Sequence, residues 1–221
     1  MKVIMAQKLL QANQDIAEQN RKRLSQILTV NLIGSPGAGK TTLLERTIAS
    51  LKKDLAIGVI EGDISTTLDS ERIAGQGVDV VQINTEGACH LDASLISKAL
   101  QELDLSGLDL LLIENVGNLV CPAEFDLGED YKVALLSVTE GSDKPAKYPL
   151  VFHEARAMVI TKADLLPYTN FDLKAVEEEI KVANPAAQFF VTSAQTGEGL
   201  EAWCSWLKDA MQKKRGLSAI G

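Results

Sequence analysis

The amino-acid sequence predicts an α/β fold: a single domain with a doubly wound, mostly parallel β-sheet flanked by helices. Short apolar runs alternate with amphipathic, helix-patterned segments almost to the end of the chain, as expected for strand–helix–strand units. Several of these runs are apolar at both odd and even positions, which is typical of strands that helices cover on both faces. At 221 residues, the chain is long enough to bury one sizeable core.

Seven apolar runs are predicted to be strands, at residues 27–34, 55–60, 78–83, 108–113, 132–138, 157–161 and 188–192. The clearest helical patterns are found at residues 40–51, 91–103, 173–183 and 200–213. We therefore divide the chain into an N-terminal amphipathic helical extension (residues 1–26), the main domain (residues 27–215) and a tail (residues 216–221) that we expect to fray.

Composition and charge argue against several classes of protein. The formal net charge of -8 disfavours broad nucleic-acid binding, which needs a basic face. The N-terminal segment lacks the apolar core of a signal peptide, and no stretch approaches the ~18 apolar residues that a membrane span needs. We therefore expect a cytoplasmic protein with neither nucleic acid nor membrane among its partners. The three cysteines, Cys89, Cys121 and Cys204, indicate reduced thiols or metal ligands instead of a disulfide framework.

The most specific motif lies between the first predicted strand and the helix after it. Residues 34–41, GSPGAGKT, match the phosphate-binding pattern G-x-x-x-x-G-K-(S/T) completely. Glycines there let the backbone wrap around phosphates at a helix N-terminus; the alternative is a glycine-rich turn that binds no ligand. Lys40 is predicted to reach the β- and γ-phosphates, and Thr41 to place its hydroxyl on Mg²⁺. The predicted nucleotide-binding residues in this segment are Gly34, Ser35, Pro36, Gly37, Ala38, Gly39, Lys40, Thr41 and Thr42.

A second motif indicates that the base is guanine. Thr161-Lys162-Ala163-Asp164 follows the sixth predicted strand and resembles the (N/T)-K-x-D motif of GTPases. A carboxylate at Asp164 can accept hydrogen bonds from guanine N1–H and from the 2-amino group, which adenine lacks. Ser193-Ala194 follows the next strand and is predicted to present a backbone N–H to guanine O6, while the Lys162 stem packs over the base. The alternative for residues 161–164 is a polar strand end that caps the following helix.

Acidic residues end the second and fourth predicted strands, at Glu61-Gly62-Asp63 and at Glu114. Ligands of open α/β sheets bind at the carboxyl ends of strands, so we expect both strand ends to approach Mg²⁺. Asp63 is the preferred ligand, through water, and is also placed to orient the attacking water, while Glu114 is the second acidic ligand. The alternative is that Asp63 and Glu114 simply cap helices.

Gly117 follows Glu114 in a segment that resembles D-x-x-G, with Glu in place of Asp, and its N–H is predicted to contact the γ-phosphate. We therefore assign Lys40, Asp63 and Gly117 as the residues that act directly in hydrolysis. No Gln follows Gly117, and no arginine is evident that would reach the phosphate. We accordingly expect slow intrinsic turnover until a partner or a second copy completes the site.

Cys89, His90 and Cys121 are predicted to form a separate metal site. Thiolate and imidazole ligands suit Ni²⁺ and Zn²⁺, and the chain has only three cysteines and two histidines. Three ligands are too few for a closed site, whereas two copies related by a two-fold axis supply up to six. Cys121 lies four positions beyond Gly117, which would link the metal to the nucleotide state. The alternative is a small buried hydrophobic side chain at each Cys and a polar helix cap at His90.

Together, the segments GSPGAGKTT, EGD, CHLDA, ENVGNLVCPAEFDLG and TKADLLP resemble the hydrogenase nickel-incorporation GTPases, the HypB family, across residues 1–215. The resemblance implies a SIMIBI-class P-loop GTPase that forms a homodimer, binds GTP or GDP with Mg²⁺, and helps to deliver nickel to the large subunit of nickel–iron hydrogenase. It also implies that Cys89, His90 and Cys121 lie at the dimer interface, and that a nickel-binding accessory protein docks on the N-terminal segment. Some members carry an N-terminal Cys-rich or His-rich nickel motif. Residues 1–26 contain neither Cys nor His, so we expect no further nickel site.

Three other functions remain open at the level of sequence. A GTPase for another metallocentre, such as that of urease or a cobalamin enzyme, would share the fold, although the urease relatives would carry Cys-Pro-His where this chain has Cys121-Pro122-Ala123. A metal-free regulatory GTP-binding module would act through protein docking alone. A P-loop kinase would use ATP and would not depend on Asp164.

Overall fold

In a computed structural model, which describes residues 2–63 and 67–218, seven strands form one sheet at the centre of the protein. The strands are β1 (Leu28–Gly34), β2 (Ile57–Asp63), β3 (Asp79–Asn84), β4 (Leu110–Glu114), β5 (Tyr131–Ser137), β6 (Ala157–Thr161) and β7 (Gln188–Val191). All neighbouring strands are parallel, in the order β3-β2-β4-β1-β5-β6-β7. The predicted fold class, a doubly wound parallel sheet flanked by helices, is confirmed.

Helices cover both faces of the sheet. They are α1 (Lys2–Arg23), α2 (Lys40–Leu51), α3 (Leu68–Ala74), α4 (Ala93–Glu102), α5 (Cys121–Glu124), α6 (Lys144–Lys147), α7 (Pro149–Glu154), α8 (Leu173–Ala183) and α9 (Leu200–Ser218), with a 3-10 helix at Ala163–Tyr168. None of the helices in the described ranges is long and apolar enough to cross a bilayer.

The central strands are buried on both faces, as their apolar pattern predicts. In β4, Leu110 and Leu112 pack in one core cluster with α2 and α9, whereas Leu111 and Ile113 pack with α4 on the opposite face. Each such side chain contributes about 1.5–3 kcal/mol of burial energy, before the entropy cost of ordering it. The tightly packed sheet therefore fixes the positions at which the loops leave its carboxyl edge.

Strand β2 extends further than the apolar pattern predicts. The predicted strand ends at residue 60, but β2 runs through Asp63, because Glu61 pairs with Glu114 of β4 and Asp63 pairs with Asn84 of β3. These polar residues therefore belong to the strand. The register places the side chains of Glu61 and Glu114 on the same face of the sheet.

Several helical segments also differ from the prediction, among them α3 and α9. The sequence pattern does not predict α3, a seven-residue helix with acidic residues in its first turn. Helix α9 runs to Ser218, past the predicted end at residue 213, so part of the segment expected to fray is helical. The cause is tertiary, since Lys214 donates hydrogen bonds to the carbonyls of Leu24 and Ile27. Residues 219–221 of the predicted tail lie outside the described ranges.

Candidate nucleotide and metal site

The loop between β1 and α2 has the conformation that its glycines allow. Gly37 and Gly39 take φ values of 77° and 89°, in the left-handed region where other side chains are strained. Lys40 is buried, which lowers the pKa of its ammonium group. Its Nζ donates to Gly34 O at 3.2 Å and to Ser35 O at 3.3 Å. The lysine that is predicted to bind phosphate is thus held against the loop itself.

Two buried carboxylates lie beside the first turn of α2. Thr41 Oγ1 donates to Glu114 Oε1 at 2.8 Å, and the β2–β4 register places Glu61 next to Glu114. Burial and, second to it, the charge of Glu114 together raise the pKa of Glu61 to about 8, and burial raises that of Glu114 to about 7. Within the described ranges, the Oε2 atom of each glutamate is buried without a hydrogen-bond partner. Since Mg²⁺ takes oxygen ligands of this kind, Thr41, Glu61 and Glu114 fit a Mg²⁺ site.

These groups line a cleft of about 450 Å³ at the carboxyl edge of the sheet. Ten of the predicted site residues line the cleft: Pro36, Gly37, Gly39, Lys40, Thr41, Thr42, Asp63, Glu114, Gly117 and Lys162. Three residues of the phosphate-binding loop, Gly34, Ser35 and Ala38, do not form part of this wall. The cleft therefore joins most of the predicted phosphate, Mg²⁺ and hydrolysis residues in one place.

The sequence places Glu61 at a strand end that approaches Mg²⁺ but favours Asp63 as the ligand there, and it gives no role to two other charged residues of the cleft, Asp69 and Arg72. Arg72 lies on α3 and pairs with Glu45 of α2 at 2.6 Å and with Asp69 at 2.9 Å. The available signal for α3 was Thr67 followed by acidic residues, a pattern typical of a helix N-terminus. Arg72 thus brings a cation to the cleft wall, although the sequence alone indicates no arginine near the phosphates.

The loop after β6 contacts the phosphate-binding loop directly. Thr161 Oγ1 donates to Ala38 O at 2.6 Å, and Lys162 Nζ donates to Gly37 O at 2.8 Å. Both side chains therefore brace the loop that precedes α2. A smaller hollow beside this contact is lined by Gly39, Thr42, Leu43, Thr161, Lys162, Thr192 and Ala194.

Asp164 and Ser193 come together although they leave different strands. Asp164 Oδ1 accepts a hydrogen bond from Ser193 Oγ at 2.5 Å, and Ser193 Oγ accepts the N–H of Thr196 at 3.1 Å. The serine thus orients the carboxylate that is predicted to recognise guanine. The alternative role, a strand end that caps the next helix, does not fit Asp164, because Asp172 caps α8 and the 3-10 helix begins without a side-chain cap.

Cys89, His90 and Cys121 meet at one point on the surface. Their ligand atoms lie within 4.8 Å of one another, with 3.2 Å between the two Sγ atoms and 3.6 Å between Cys89 Sγ and His90 Nδ1. Cys89 is exposed and Cys121 half-buried, so they do not act as small buried hydrophobic residues. Nor does His90 cap α4, because the Asp92 carboxylate accepts the N–H of Leu95. Burial lowers the pKa of His90, which favours the neutral imidazole that a metal requires.

The other Cys and His residues lie away from this cluster. Cys204 lies on α9 and is buried in the core cluster that this helix forms with α2. His153 is exposed, and its Nδ1 lies 3.1 Å from Glu154 Oε1. Among the described residues, Cys89, His90 and Cys121 are the one group of potential ligands that is close enough to hold a metal ion.

Direct contacts connect the metal cluster to the phosphate-binding loop. Gly117 packs on Pro36: a Cβ added to Gly117 would lie 2.8 Å from Pro36 Cγ and 3.0 Å from Pro36 N. The next residue, Asn118, forms an antiparallel bridge with Gly34, and its side chain donates to Cys89 O at 3.2 Å. Cys121, the third potential ligand, follows Gly117 four residues later in the chain. A displacement of this glycine would therefore act on both chain segments that carry the ligands.

The parallel sheet and the phosphate-binding loop define a P-loop nucleotide-binding protein. A family model described as the nucleotide-binding domain of CobW, HypB and UreG matches residues 28–191. The hydrogenase maturation factor HypB of Escherichia coli (strain K12) is 48% identical over 202 residues, which cover 90% of this chain and 70% of that protein. The chain therefore belongs to the HypB family of hydrogenase maturation factors.

Two solved HypB structures are similar along nearly the whole chain. HypB from Archaeoglobus fulgidus superposes with a TM-score of 0.86 at 41% identity, covering 91% of this chain and 100% of that one. HypB from Helicobacter pylori, solved in complex with nickel, superposes with a TM-score of 0.88 at 38% identity and covers 92% of this chain and 97% of that one.

Proposed function

We propose that this chain is a GTP-hydrolysing metallochaperone that assists nickel insertion into nickel–iron hydrogenase, with a metal site that responds to the bound nucleotide. The observation that carries the proposal is the contact path from Pro36 through Gly117 and Asn118 to the Cys89 segment. The target and the cargo are supported by a relative named as a hydrogenase maturation factor and by the nickel complex of the Helicobacter pylori protein.

We assign guanine nucleotides as the ligands, because the phosphate-binding cleft is accompanied by Asp164 and Ser193, which lie outside the cleft wall. The carboxylate of Asp164, oriented by Ser193, would accept the two N–H donors of the guanine edge. Lys40 would neutralise charge on the β- and γ-phosphates. Thr41, Glu61 and Glu114, with Asp63 through water, would hold Mg²⁺, which supplies further positive charge at those phosphates when bound.

We assign hydrolysis to Lys40, Asp63 and Gly117. Lys40 stabilises the charge that develops on the transferred phosphoryl group, Asp63 orients the attacking water, and the Gly117 N–H contacts the γ-phosphate. Slow intrinsic turnover agrees with the pairing of Arg72, whose guanidinium is engaged by Glu45 and Asp69. A partner protein or a second copy would then accelerate the reaction.

The Cys/His cluster fits a metal that two copies share. Cys89, His90 and Cys121 provide three donor atoms at the surface, and Zn²⁺ suits them as well as Ni²⁺. Val120, beside Cys121, has half of its surface exposed, so an apolar side chain stands at the rim of the site. A homodimer across this surface would complete the coordination of the ion and cover that side chain.

The hydrogenase large subunit is the recipient that we assign, and a nickel-binding accessory protein is the partner that supplies or exchanges the ion. The first assignment is supported by relatives named as hydrogenase maturation factors, and the second is supported by the resemblance of the sequence motifs alone. A urease-type role is disfavoured, because Ala123 stands where the Cys-Pro-His motif would place a histidine.

The proposal is tested by measuring Ni²⁺ affinity with GDP and with a non-hydrolysable GTP analogue. We expect the two affinities to differ by about 5- to 20-fold in the wild-type protein. Gly117→Ala should abolish the difference, because its methyl group would push the loop away from Pro36. The affinities would be determined by competition with a chromophoric chelator.

Gly216→Ala is the matched control for this experiment, because a Cβ at Gly216 would meet nothing within 4 Å. The control should retain the full nucleotide effect. Equal Ni²⁺ affinities with GDP and with the analogue in the wild-type protein would overturn the coupling. Absence of saturable Ni²⁺ binding would overturn the assigned cargo.

Glu61→Gln is expected to act in opposite directions without and with Mg²⁺. When a chelator removes Mg²⁺, the folded protein retains protons on Glu61 and Glu114 that the unfolded chain releases. The reason is that the pKa of each carboxyl group is higher in the folded protein than in the unfolded chain. The stability that these protons confer is present at acidic pH and is lost as the pH rises through about 7 to 8. Glutamine stays neutral, so urea unfolding at pH 8 should show the variant to be more stable by about 1–3 kcal/mol.

With Mg²⁺ and GTP, the same variant lacks the negative charge and one of the two side-chain oxygens that Glu61 offers to the ion. The Mg²⁺ concentration for half-maximal turnover should rise roughly 10-fold. Glu102→Gln, an exposed position at the end of α4, is the control and should change neither measurement. If Glu61→Gln needs the same Mg²⁺ concentration as the wild-type protein, Glu61 is not a Mg²⁺ ligand.

A further inference from the structure

Helix α1 lies across the two chain segments that carry the Cys/His cluster. One segment contains Cys89 and His90 and continues into α4 at Ala93. The other begins at Cys121 and continues beyond α5 through residues 126–128. We refer to them as the first and second ligand arms. Both arms bond to side chains of α1, which lies outside the cluster itself.

Asn13 of α1 bonds to both arms with one amide group. Its Oδ1 accepts the N–H of Ala93 in the first arm at 2.8 Å. Its Nδ2 donates to the carbonyl of Asp126 in the second arm at 2.8 Å. A single side chain therefore connects the backbone of Ala93 to the backbone of Asp126.

Asn20 repeats this bridge two helical turns later. It lies seven positions beyond Asn13 and so faces the same side of the helix. Its Nδ2 donates to the carbonyl of Ala93 at 2.8 Å and to that of Leu127 at 3.1 Å. Asn20 is fully buried, so both bonds are shielded from water.

The second arm is also attached to α1 by charge and by close backbone contact. Arg21 donates to both carboxylate oxygens of Asp126 at 2.7 Å. Gly128 has a φ of 93°, and a Cβ there would lie 2.7 Å from Ala17 O and from Asn20 Cβ. Only glycine permits this approach, so the arm and the helix keep a fixed spacing.

The two arms also meet at the metal cluster, where the His90 ring packs on Phe125 with 4.0 Å between ring centroids. The spacing of Cys89 and His90 from Cys121 thus depends on contacts at both ends of the arms. A change in the amide bridges of α1 would shift one set of ligands relative to the other. A shift of a few tenths of an ångström is enough to alter metal–ligand distances, which are defined to about 0.2 Å.

We propose that Asn13 and Asn20 are positioning residues of the metal site, and that α1 sets the ion affinity by fixing the two ligand arms at one spacing. This inference rests on the proposed function, because it requires that the cluster bind Ni²⁺. It adds a control element that is separate from the nucleotide path through Gly117. Loosening α1 would weaken ion binding and leave nucleotide binding intact.

Asn13→Asp tests the bridge with a minimal change. The carboxylate still accepts the N–H of Ala93, but it cannot donate to the carbonyl of Asp126, so only the Asn13 bond to the second arm is lost. Asn13→Ala removes the Asn13 bonds to both arms without adding charge. We expect Ni²⁺ affinity to fall roughly 3- to 10-fold in Asn13→Asp and further in Asn13→Ala. These losses are smaller than the roughly 10- to 100-fold typical of groups that contact a ligand directly, because Asn13 acts through the ligand arms. The thiolate-to-nickel charge-transfer band should shift or weaken, while the Kd for GTP stays unchanged.

The controls are Gln19→Glu and Gln19→Ala, the same two kinds of change at an exposed position of α1. Arg21→Gln offers a milder release of the second arm at a partly exposed ion pair, and should lower Ni²⁺ affinity even if the Asn13 variants fold poorly. Wild-type Ni²⁺ affinity and an unaltered band in folded Asn13→Asp and Arg21→Gln would overturn the positioning role alone. A wild-type protein that binds no Ni²⁺ would instead overturn the proposed function, and this inference with it.

Discussion

Asp164→Asn is expected to raise the Kd for GTP by about 10²- to 10³-fold and to make xanthosine triphosphate the preferred nucleotide. Ser193 fixes the Asp164 carboxylate by a 2.5 Å hydrogen bond, so the acceptor is oriented before a base arrives. An amide N–H at this position would face the guanine 2-amino group, donor against donor. Xanthine has a carbonyl at the same ring position, which an amide N–H can satisfy. Titration with fluorescent guanine and xanthine nucleotides would measure both affinities.

Two further variants serve as references for this experiment. Asp209→Asn changes an exposed carboxylate on α9 in the same way and should leave nucleotide affinity unaltered. Ser193→Ala removes the orienting hydrogen bond without touching the carboxylate, so its effect should be smaller than that of Asp164→Asn. Effective competition by ATP against GTP in the wild-type protein would contradict guanine recognition and favour a kinase-like function.

The phosphate-binding loop could be found from sequence because its chemistry is local. Residues 34–41 need only their own glycines and the following helix to form the loop, and all of them are adjacent in the chain. The Cys/His cluster was predictable for a different reason. Cys89 and Cys121 both follow strand ends at the same edge of a parallel sheet, which brings together residues that lie 32 positions apart.

Glu61 and Arg72 illustrate what a single sequence does not reveal. The side chain of Glu61 faces Glu114 because of the β2–β4 register, and that register depends on hydrogen bonds between distant segments. Arg72 reaches the cleft on α3, which has only seven residues and too few turns for a reliable periodic pattern. The sequence places Glu61 at the correct strand end, but its position beside Glu114, like that of Arg72 in the cleft, became evident only from its tertiary neighbours.

The position of α1 was beyond prediction for a related reason. An amphipathic pattern indicates that a helix packs against something, but it does not indicate which surface the helix covers. The partners of Asn13 and Asn20 are backbone groups of Ala93, Asp126 and Leu127. Backbone groups carry no signature of their own in a sequence, so these bridges leave no pattern to detect.

Cys121→Ala is expected to lower Ni²⁺ affinity by more than about 100-fold, because changes in residues that merely support a ligand already cost 10- to 100-fold. Cys121 is the single ligand on the second arm, so no neighbouring thiol or imidazole of that arm would replace it. If two copies share the ion, each dimer loses two ligands at once, and Ni²⁺ should no longer promote dimerisation. Metal titration and sedimentation velocity, both with a phosphine reductant present, would measure these effects.

Cys204→Ala is the matched control, since Cys204 is a thiol of α9 that is buried in the core, outside the metal cluster. Its variant should bind Ni²⁺ and GTP as the wild-type protein does. Cys121→Ala should also bind GTP normally, because Cys121 is not part of the cleft wall. Ni²⁺ binding that survives Cys121→Ala would show that the ion uses other ligands. In that case the contacts from Pro36 through Gly117 would lead to a loop that binds no metal. The proposed coupling between nucleotide and metal would then have no physical basis.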